Sequence, residues 1–223
     1  MAQIPVFFAI CLAVGGPYLF LGWLHYDSYG VNIAAQFVLL FLCINLLICL
    51  WELCLCYRYS LIRSTHLKRL KDGQTMSVKI VVFRWMELSE ILSPSFWANI
   101  WIDYSRYDPA YTDSRSAGYN IDVGNGHSTL LPTLFLMVSM VKPILGPKET
   151  GMVGLVINYQ MLYGSLVYFF AFFNSKTPQM LKLTMKEAVL AVVMPSMVWV
   201  IIPFIAITMS VRMIMEDSFS VWQ

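Results

Sequence analysis

Long apolar runs almost free of charge are what most restrict the architecture open to this chain. Between residues 31 and 57 the only charged side chain is Glu52, and comparable runs occupy 5–24, 127–145, 152–173 and 188–211. About 20 apolar residues in a helix cross the roughly 30 Å hydrocarbon core of a bilayer. Within that core the backbone must satisfy its own hydrogen bonds, which leaves helices or a closed barrel, and runs this long suit helices. The expectation is an all-α integral membrane protein, a single transmembrane domain over 1–223 built as a five-helix bundle. Composition agrees: 58% of residues are hydrophobic, 13% are charged and the mean hydropathy is +0.65, against about 25% charge in soluble domains. A net charge of +2 is too small to point to nucleic acid.

The charges that do occur set the expected orientation. The connection 58–84 carries Arg58, Arg63, Lys68, Arg69, Lys71, Lys79 and Arg84 against one acid, Asp72; the link 174–186 carries Lys176, Lys182 and Lys186. Basic loops stay cytosolic. With five spans both links fall on one side, which places the N-terminus in the cytosol and the C-terminus opposite. Residues 83–101 mix Trp and Leu with Glu87 and Glu90, and read as an amphipathic helix lying in the interface before the third span. Gly15-Gly16-Pro17 breaks the first span, so neighbouring helices must re-satisfy its backbone. That span lacks a basic leader and a cleavage site and is expected to be retained. Cys11, Cys43, Cys49, Cys54 and Cys56 all fall in apolar runs without a CxxC pair, and read as buried free thiols.

The longest polar run starts at Trp101 and leads through Gly118-Tyr-Asn-Ile-Asp-Val-Gly-Asn-Gly-His-Ser-Thr-Leu-Leu-Pro132 into the third span. Polar side chains at membrane depth are costly and usually face a cavity or a partner. Asp122, Asn125 and His127 are therefore candidates for acid–base work. Glu52 joins them, since a charge at that depth costs about 2.5–3.5 kcal/mol on insertion scales. A carboxyl in low dielectric tends to keep its proton and can serve as an acid at neutral pH. Each candidate also has a plainer explanation. Glu52 could reach Arg58, under two turns away; Asp122 could be an N-cap; His127 could be a hydrogen-bonded structural residue. In a helix starting near Ile121, Asp122, Asn125 and Thr129 share a face, and Gly124 and Gly126 allow a close approach.

Further polar or aromatic groups lie within the later spans. Asn158 and Gln160 suit helix–helix hydrogen bonds. Ser196 and Trp199 lie in the last span, and the face of Trp199, between Pro195 and Pro203, could stabilise a cation. The tyrosines from Tyr104 to Tyr119 read as an interfacial belt. His25, His66 and His127 occupy unrelated segments with no HxxxH or HxxE spacing, so no metal site is expected.

Three segments carry a family resemblance. Trp101-Ile-Asp-Tyr-Ser-Arg-Tyr-Asp-Pro-Ala-Tyr111 resembles the Trp-Lys-Glu-Tyr-x-Lys-Gly-Asp-Ser-Arg-Tyr segment of the emopamil-binding-protein sterol isomerases, an EXPERA-type membrane fold. Met161-Leu-Tyr-Gly-Ser-Leu-Val-Tyr-Phe169 resembles their Gln-Leu-Tyr-Gly-x-Leu-Val-Tyr-Phe, and Trp199-Val-Ile-Ile-Pro203 their Trp-x-x-x-Pro. The likeness covers roughly residues 40–210. It implies that Glu52 and Asp122 stand where that family has two functional glutamates, and Trp199 where it has an active-site tryptophan. Departures are Ile48 for a histidine, Asn125 for a threonine, Ser196 for an asparagine and Asp122 for a glutamate. The chain is similar in size and build to the small fungal membrane cyclases and hydrolases that open epoxides on terpenoid and polyene-pyrone chains.

Together these features lead us to expect a membrane-embedded acid/base enzyme that opens an epoxide on a lipophilic isoprenoid or polyketide, giving a cyclised or hydrated product. The expected catalytic groups are Glu52, Asp122, His127 and Asn125. Trp199, Ser196, Tyr163, Asn158 and Tyr104 would bind substrate. No cofactor or nucleic acid is expected, the expected membrane is that of the endoplasmic reticulum, and a homodimer is compatible. The rival expectations are sterol Δ8–Δ7 isomerisation by the same acids, and non-catalytic sterol or lipid binding or trafficking.

Overall fold

The computed structural model describes residues 3–72, 81–176, 181 and 184–223. Lys79 and Lys182 of the basic links lie outside the described residues. The chain starts with a short strand, β1 (Gln3–Pro5), followed by helix α1 (Val6–Tyr29). Gly30, with φ of 82°, ends that helix, a conformation glycine adopts without steric cost. Asn32 then caps α2 (Ile33–Tyr57), its side chain accepting from the Ala35 N–H at 2.9 Å. These two devices fold α1 and α2 into an antiparallel hairpin.

Helix α3 (Tyr59–Lys71) carries much of the basic connection. Residues 83–101 do not form the single amphipathic helix expected. They contain a strand β2 (Trp85–Glu87), one helical turn α4 (Leu88–Ile91) and helix α5 (Pro94–Tyr104). Pro94 explains the break: it holds Ser93 extended, at φ −82° and ψ 128°, because its ring disfavours a helical residue before it. β2 pairs antiparallel with β1, Gln3 opposite Glu87. The start of the chain and the end of the basic connection therefore meet at one end of the bundle.

Helix α6 (Ala117–Ser139) begins earlier and ends earlier than the span expected at 127–145. Ser116 caps it by accepting from the Tyr119 N–H at 3.1 Å, so Asp122, Asn125 and His127 all lie inside the helix. Helices α7 (Pro147–Asn174) and α8 (Met185–Glu216) complete the bundle. Val189–Val193 of α8 forms a π turn just before Pro195.

Four helices, α1, α2, α7 and α8, are long and apolar enough to cross a membrane, and the protein is an integral membrane protein on that ground. Helix α1 is the most peripheral, exposing Phe7, Phe8, Leu19, Phe20 and Trp23. An apolar surface of that extent suits lipid rather than water. Cys11 sits on this outer helix and is exposed, contrary to expectation; Cys43 and Cys49 are buried, and Cys54 and Cys56 partly so.

α6 packs on α2 through its middle, and its two ends reach α3 and α1. Tyr119 packs on Tyr59, Thr133 accepts from the Asn45 amide at 3.0 Å, and the Met140 carbonyl meets His25 Nδ1 at 2.6 Å. Behind it, α7 and α8 approach closely through Gly151, Gly154 and Ser210. Below the bundle, Asp103 of α5 holds Arg69 of α3 at 3.1 Å and accepts from the Val81 N–H at 3.0 Å. These contacts tie α5 to α3, and the Trp101 indole N–H donates to the Trp51 carbonyl of α2 at 2.7 Å.

Candidate functional site

The two membrane acids come together. Glu52 of α2 and Asp122 of α6 line one cavity of about 300 Å³. Its wall is completed by α5 (Ile100, Trp101, Tyr104), by Tyr111, by α7 (Gly164, Ser165, Tyr168) and by α8 (Pro195, Ser196, Trp199). Five helices and one turn thus converge on a mostly apolar space holding a few polar groups, the usual make-up of a small-molecule site.

Glu52 is 6% exposed, and its Oε2 has no hydrogen-bond partner. It turns into the cavity rather than toward Arg58. A buried carboxyl oxygen without a partner is costly unless something else satisfies it. Asp122 is not an N-cap; that position belongs to Ser116. Asp122 instead lines the cavity beside Tyr111, whose hydroxyl is the polar side-chain group acting on its carboxyl. Tyr111 belongs to a short turn, Pro109–Thr112, outside the long helices. Burial holds its phenol well above the usual 10.0, so at neutral pH it keeps its proton and donates.

Tyr111 belongs to an aromatic wall. Its ring lies 4.8 Å from that of Trp101 and 5.3 Å from that of Tyr104. The Tyr104 and Tyr168 hydroxyls meet at 3.3 Å, and Tyr168 donates to Asp108 at 3.1 Å. Asp108 is buried, and its other oxygen accepts from the Ala110 N–H at 2.9 Å. Burial raises the Asp108 carboxyl above its ordinary 3.8, against the pull of those two donors. The tyrosines expected as an interfacial belt are, in the case of Tyr104 and Tyr111, cavity lining.

Opposite them stands Trp199. Its indole N–H donates to Asn45 Oδ1 at 3.0 Å, and its ring packs edge-on against Phe41 at 5.8 Å. Asn45 in turn donates to Thr133, and Cys49 and Thr129 meet at 3.2 Å. The indole is therefore anchored to both α2 and α6 while it lines the cavity. Asn125 also lines it, with its amide oxygen accepting from Gln160 of α7 at 3.1 Å.

Three expected residues lie elsewhere. His127 is exposed and pairs with Tyr57 at 3.2 Å and the Val123 carbonyl at 2.8 Å. It stands two positions beyond Asn125, which carries it about 200° around the helix. Tyr163 is 57% exposed and stacks on Tyr159; Tyr168 takes the place in the cavity. Asn158 faces α8 beside a separate small void, donating to the Gly154 carbonyl at 2.7 Å. Trp51, Trp101, Tyr111, Tyr168 and Asp108 were not singled out from the sequence as site residues. All of these but Trp51 fall within the motif segments that carry the family resemblance. Among the described residues no group of three or more His, Cys, Asp or Glu is placed to hold a metal ion. Comparison with protein-family models, with curated proteins and with solved structures gave no match.

Proposed function

We propose that this chain is a membrane-embedded acid/base enzyme that opens an epoxide on a lipophilic isoprenoid or polyketide, in the membrane of the endoplasmic reticulum. In this reading α6 is a fifth crossing, running antiparallel to α2 between the same two ends of the bundle. The observation that carries the reading is the placement of Glu52, Asp122 and the Trp199 indole around one cavity.

Roles follow from which group has a donor. A protonated carboxyl can donate, whereas an ionised one only accepts. Glu52 Oε2 faces no donor and Asp122 faces the Tyr111 hydroxyl. Glu52 is then the acid. It passes its proton to the epoxide oxygen as the carbon–oxygen bond breaks. A hydroxyl of the substrate, or water, attacks the electron-poor carbon, and Asp122 takes the proton it sheds. The face of Trp199 stabilises positive charge developing on that carbon, and the Asn125 amide orients the attacking oxygen. Ring closure from within the substrate is an isomerisation; attack by water gives a diol. Asp122 then returns its proton to Glu52, so cyclisation needs no co-reactant and hydrolysis consumes only the attacking water.

The test uses purified protein with a terminally epoxidised isoprenoid bearing an internal hydroxyl. Glu52→Gln and Asp122→Asn should each lower turnover by about 10²–10⁴-fold while the substrate still binds. The same acid–indole arrangement also suits protonation of an alkene, so sterol Δ8–Δ7 isomerisation is the second reading. A moved ring double bond with no action on epoxides would establish it. Binding of both substrates without turnover of either would leave a lipid-binding or trafficking protein.

A further inference from the structure

A second, larger void adjoins the first. It measures about 560 Å³ and lies between α5, the segment at Val81–Val82 and the start of α8. Ile100, Tyr104 and Pro195 line both spaces, so the two chambers share one wall. The outer chamber is lined chiefly by apolar side chains, Val81, Val82, Leu190 and Ala191 among them. Its acids are already engaged. Asp103 is held by Arg69, and Glu187 accepts from the Thr184 N–H at 2.9 Å. Among the described residues the rest of the lining is chiefly hydrocarbon, which suits a chain better than a polar head.

We propose that this outer chamber is a chain-binding subsite. It takes the flexible hydrocarbon tail of a substrate whose reactive end occupies the inner cavity between Glu52, Asp122 and Trp199. The inference rests on the reading given under Proposed function and adds to it the shape of the substrate. The inner space is at the lower end of the volumes that hold small ligands, which run from about 300 to 1,000 Å³. A long isoprenoid or polyene chain outgrows it, and the adjoining chamber is the apolar continuation. Helix α8 is locally loosened at the junction. The π turn Val189–Val193 replaces ordinary helical bonding there, and Pro195 has no N–H to donate.

The consequence is a length preference that belongs to binding and not to chemistry. The experiment takes the full chain in lipid nanodiscs and two photoprobes, isoprenoid alcohols of ten and of twenty carbons with a diazirine at the tail. The longer probe should label the peptides around Val81–Val82 and Leu190–Pro195. Ala191→Trp fills the outer chamber and should reduce that labelling by about tenfold while leaving the shorter probe unaffected. Labelling is read without turnover, so failure of the catalytic reading would leave this result standing; Tyr163→Phe, on the exposed face of α7, should change neither probe. Where Ala191→Trp fails to give a monodisperse protein, Val82→Phe on the facing wall carries the same expectation. Labelling spread over the outer face of α1, or labelling matched by a diazirine phospholipid, would overturn the proposal. So would an equal loss of both probes.

Discussion

Gly126 of α6 lies so close to Glu52 of α2 that a β-carbon on the glycine would stand 2.7 Å from the Glu52 Cβ. It would also come within 3.2 Å of the Cys49 carbonyl and the Leu53 nitrogen. The missing side chain is what lets α6 settle against α2 at the depth of the acid. One turn earlier, Asp122 is thereby brought to the same cavity.

Gly126→Ala should therefore act on the site through the backbone. The obstruction is backbone and Cβ, which cannot swing aside, and overpacking of that kind costs about 1–3 kcal/mol. Gly124 supplies the control, because a β-carbon there meets nothing within 4 Å. Gly124→Ala should be neutral or up to about 1 kcal/mol stabilising, from helix propensity alone. Thermal unfolding in detergent should separate the two variants. Turnover should fall by about 10²-fold in Gly126→Ala if α6 is displaced by about 1 Å. Equal behaviour of the two alanines would mean that the close approach does not set the distance between the acids.

Asn45 controls how Trp199 presents its ring, since it accepts the indole N–H while donating to Thr133. Asn45→Ala leaves a buried indole N–H and the threonine without their partner, at a cost of about 1–3 kcal/mol. It touches neither carboxyl. The expected kinetic signature is a fall in kcat with a small change in KM, because the ring matters only when the carbon becomes positive. Asn45→Asp retains an acceptor for the indole and should recover part of the loss. If Asn45→Ala lowered stability but left kcat alone, the indole's role would be packing.

Tyr111→Phe removes the donor facing Asp122 while keeping the ring that packs on Trp101 at 4.8 Å. A hydrogen bond to a charged group is worth about 1.5–3 kcal/mol. Turnover should drop by about ten- to a hundredfold, with fold and thermal stability little changed. An effect as small as that of Phe in place of exposed Tyr163 would remove Tyr111 from the mechanism.

How much of this was legible differs between helices for physical reasons. α1, α2, α7 and α8 announce themselves because lipid-facing helices need apolar residues all round. α6 does so only in its second half, inside the span expected at 127–145; Asp122, Gly124, Asn125 and Gly126 lower the apolarity of its first half, whose placement comes from contact with α2. Glu52 was readable as a lone carboxyl in an apolar run, and Asp122 as an acid in a polar run that leads into a span. His127 was misplaced because proximity in sequence was weighed above its angle on the helix: Asp122, Asn125 and Thr129 share a face and it does not. Tyr111 was read only as part of an interfacial belt because one amphipathic side chain serves equally at a membrane surface and around a cavity, whereas Tyr104 was also expected at the substrate and lines it. Tyr163 and Tyr168 stand five positions apart, so only one can face inward.

The contact that fixes α5 beneath the bundle should weaken in mild acid. His66 of α3 meets the Ser105 hydroxyl at 2.8 Å, one turn from Arg69 in its ion pair with Asp103. Burial, and secondarily the Arg69 charge, lowers the His66 pKa below its ordinary 6.5. A group depressed in the folded state contributes stability that is present above the unfolded pKa and lost as pH falls through the folded one. The unfolded chain takes up a proton near pH 6.5 that the folded chain resists. The melting temperature should therefore decline as the pH is lowered below about 6.5, and His66→Gln should flatten that part of the profile. Because α5 supplies Ile100, Trp101 and Tyr104 to the cavity, ligand binding should weaken over the same interval in the wild type and not in the variant. A melting profile unchanged by His66→Gln would show that this dock does not sense pH.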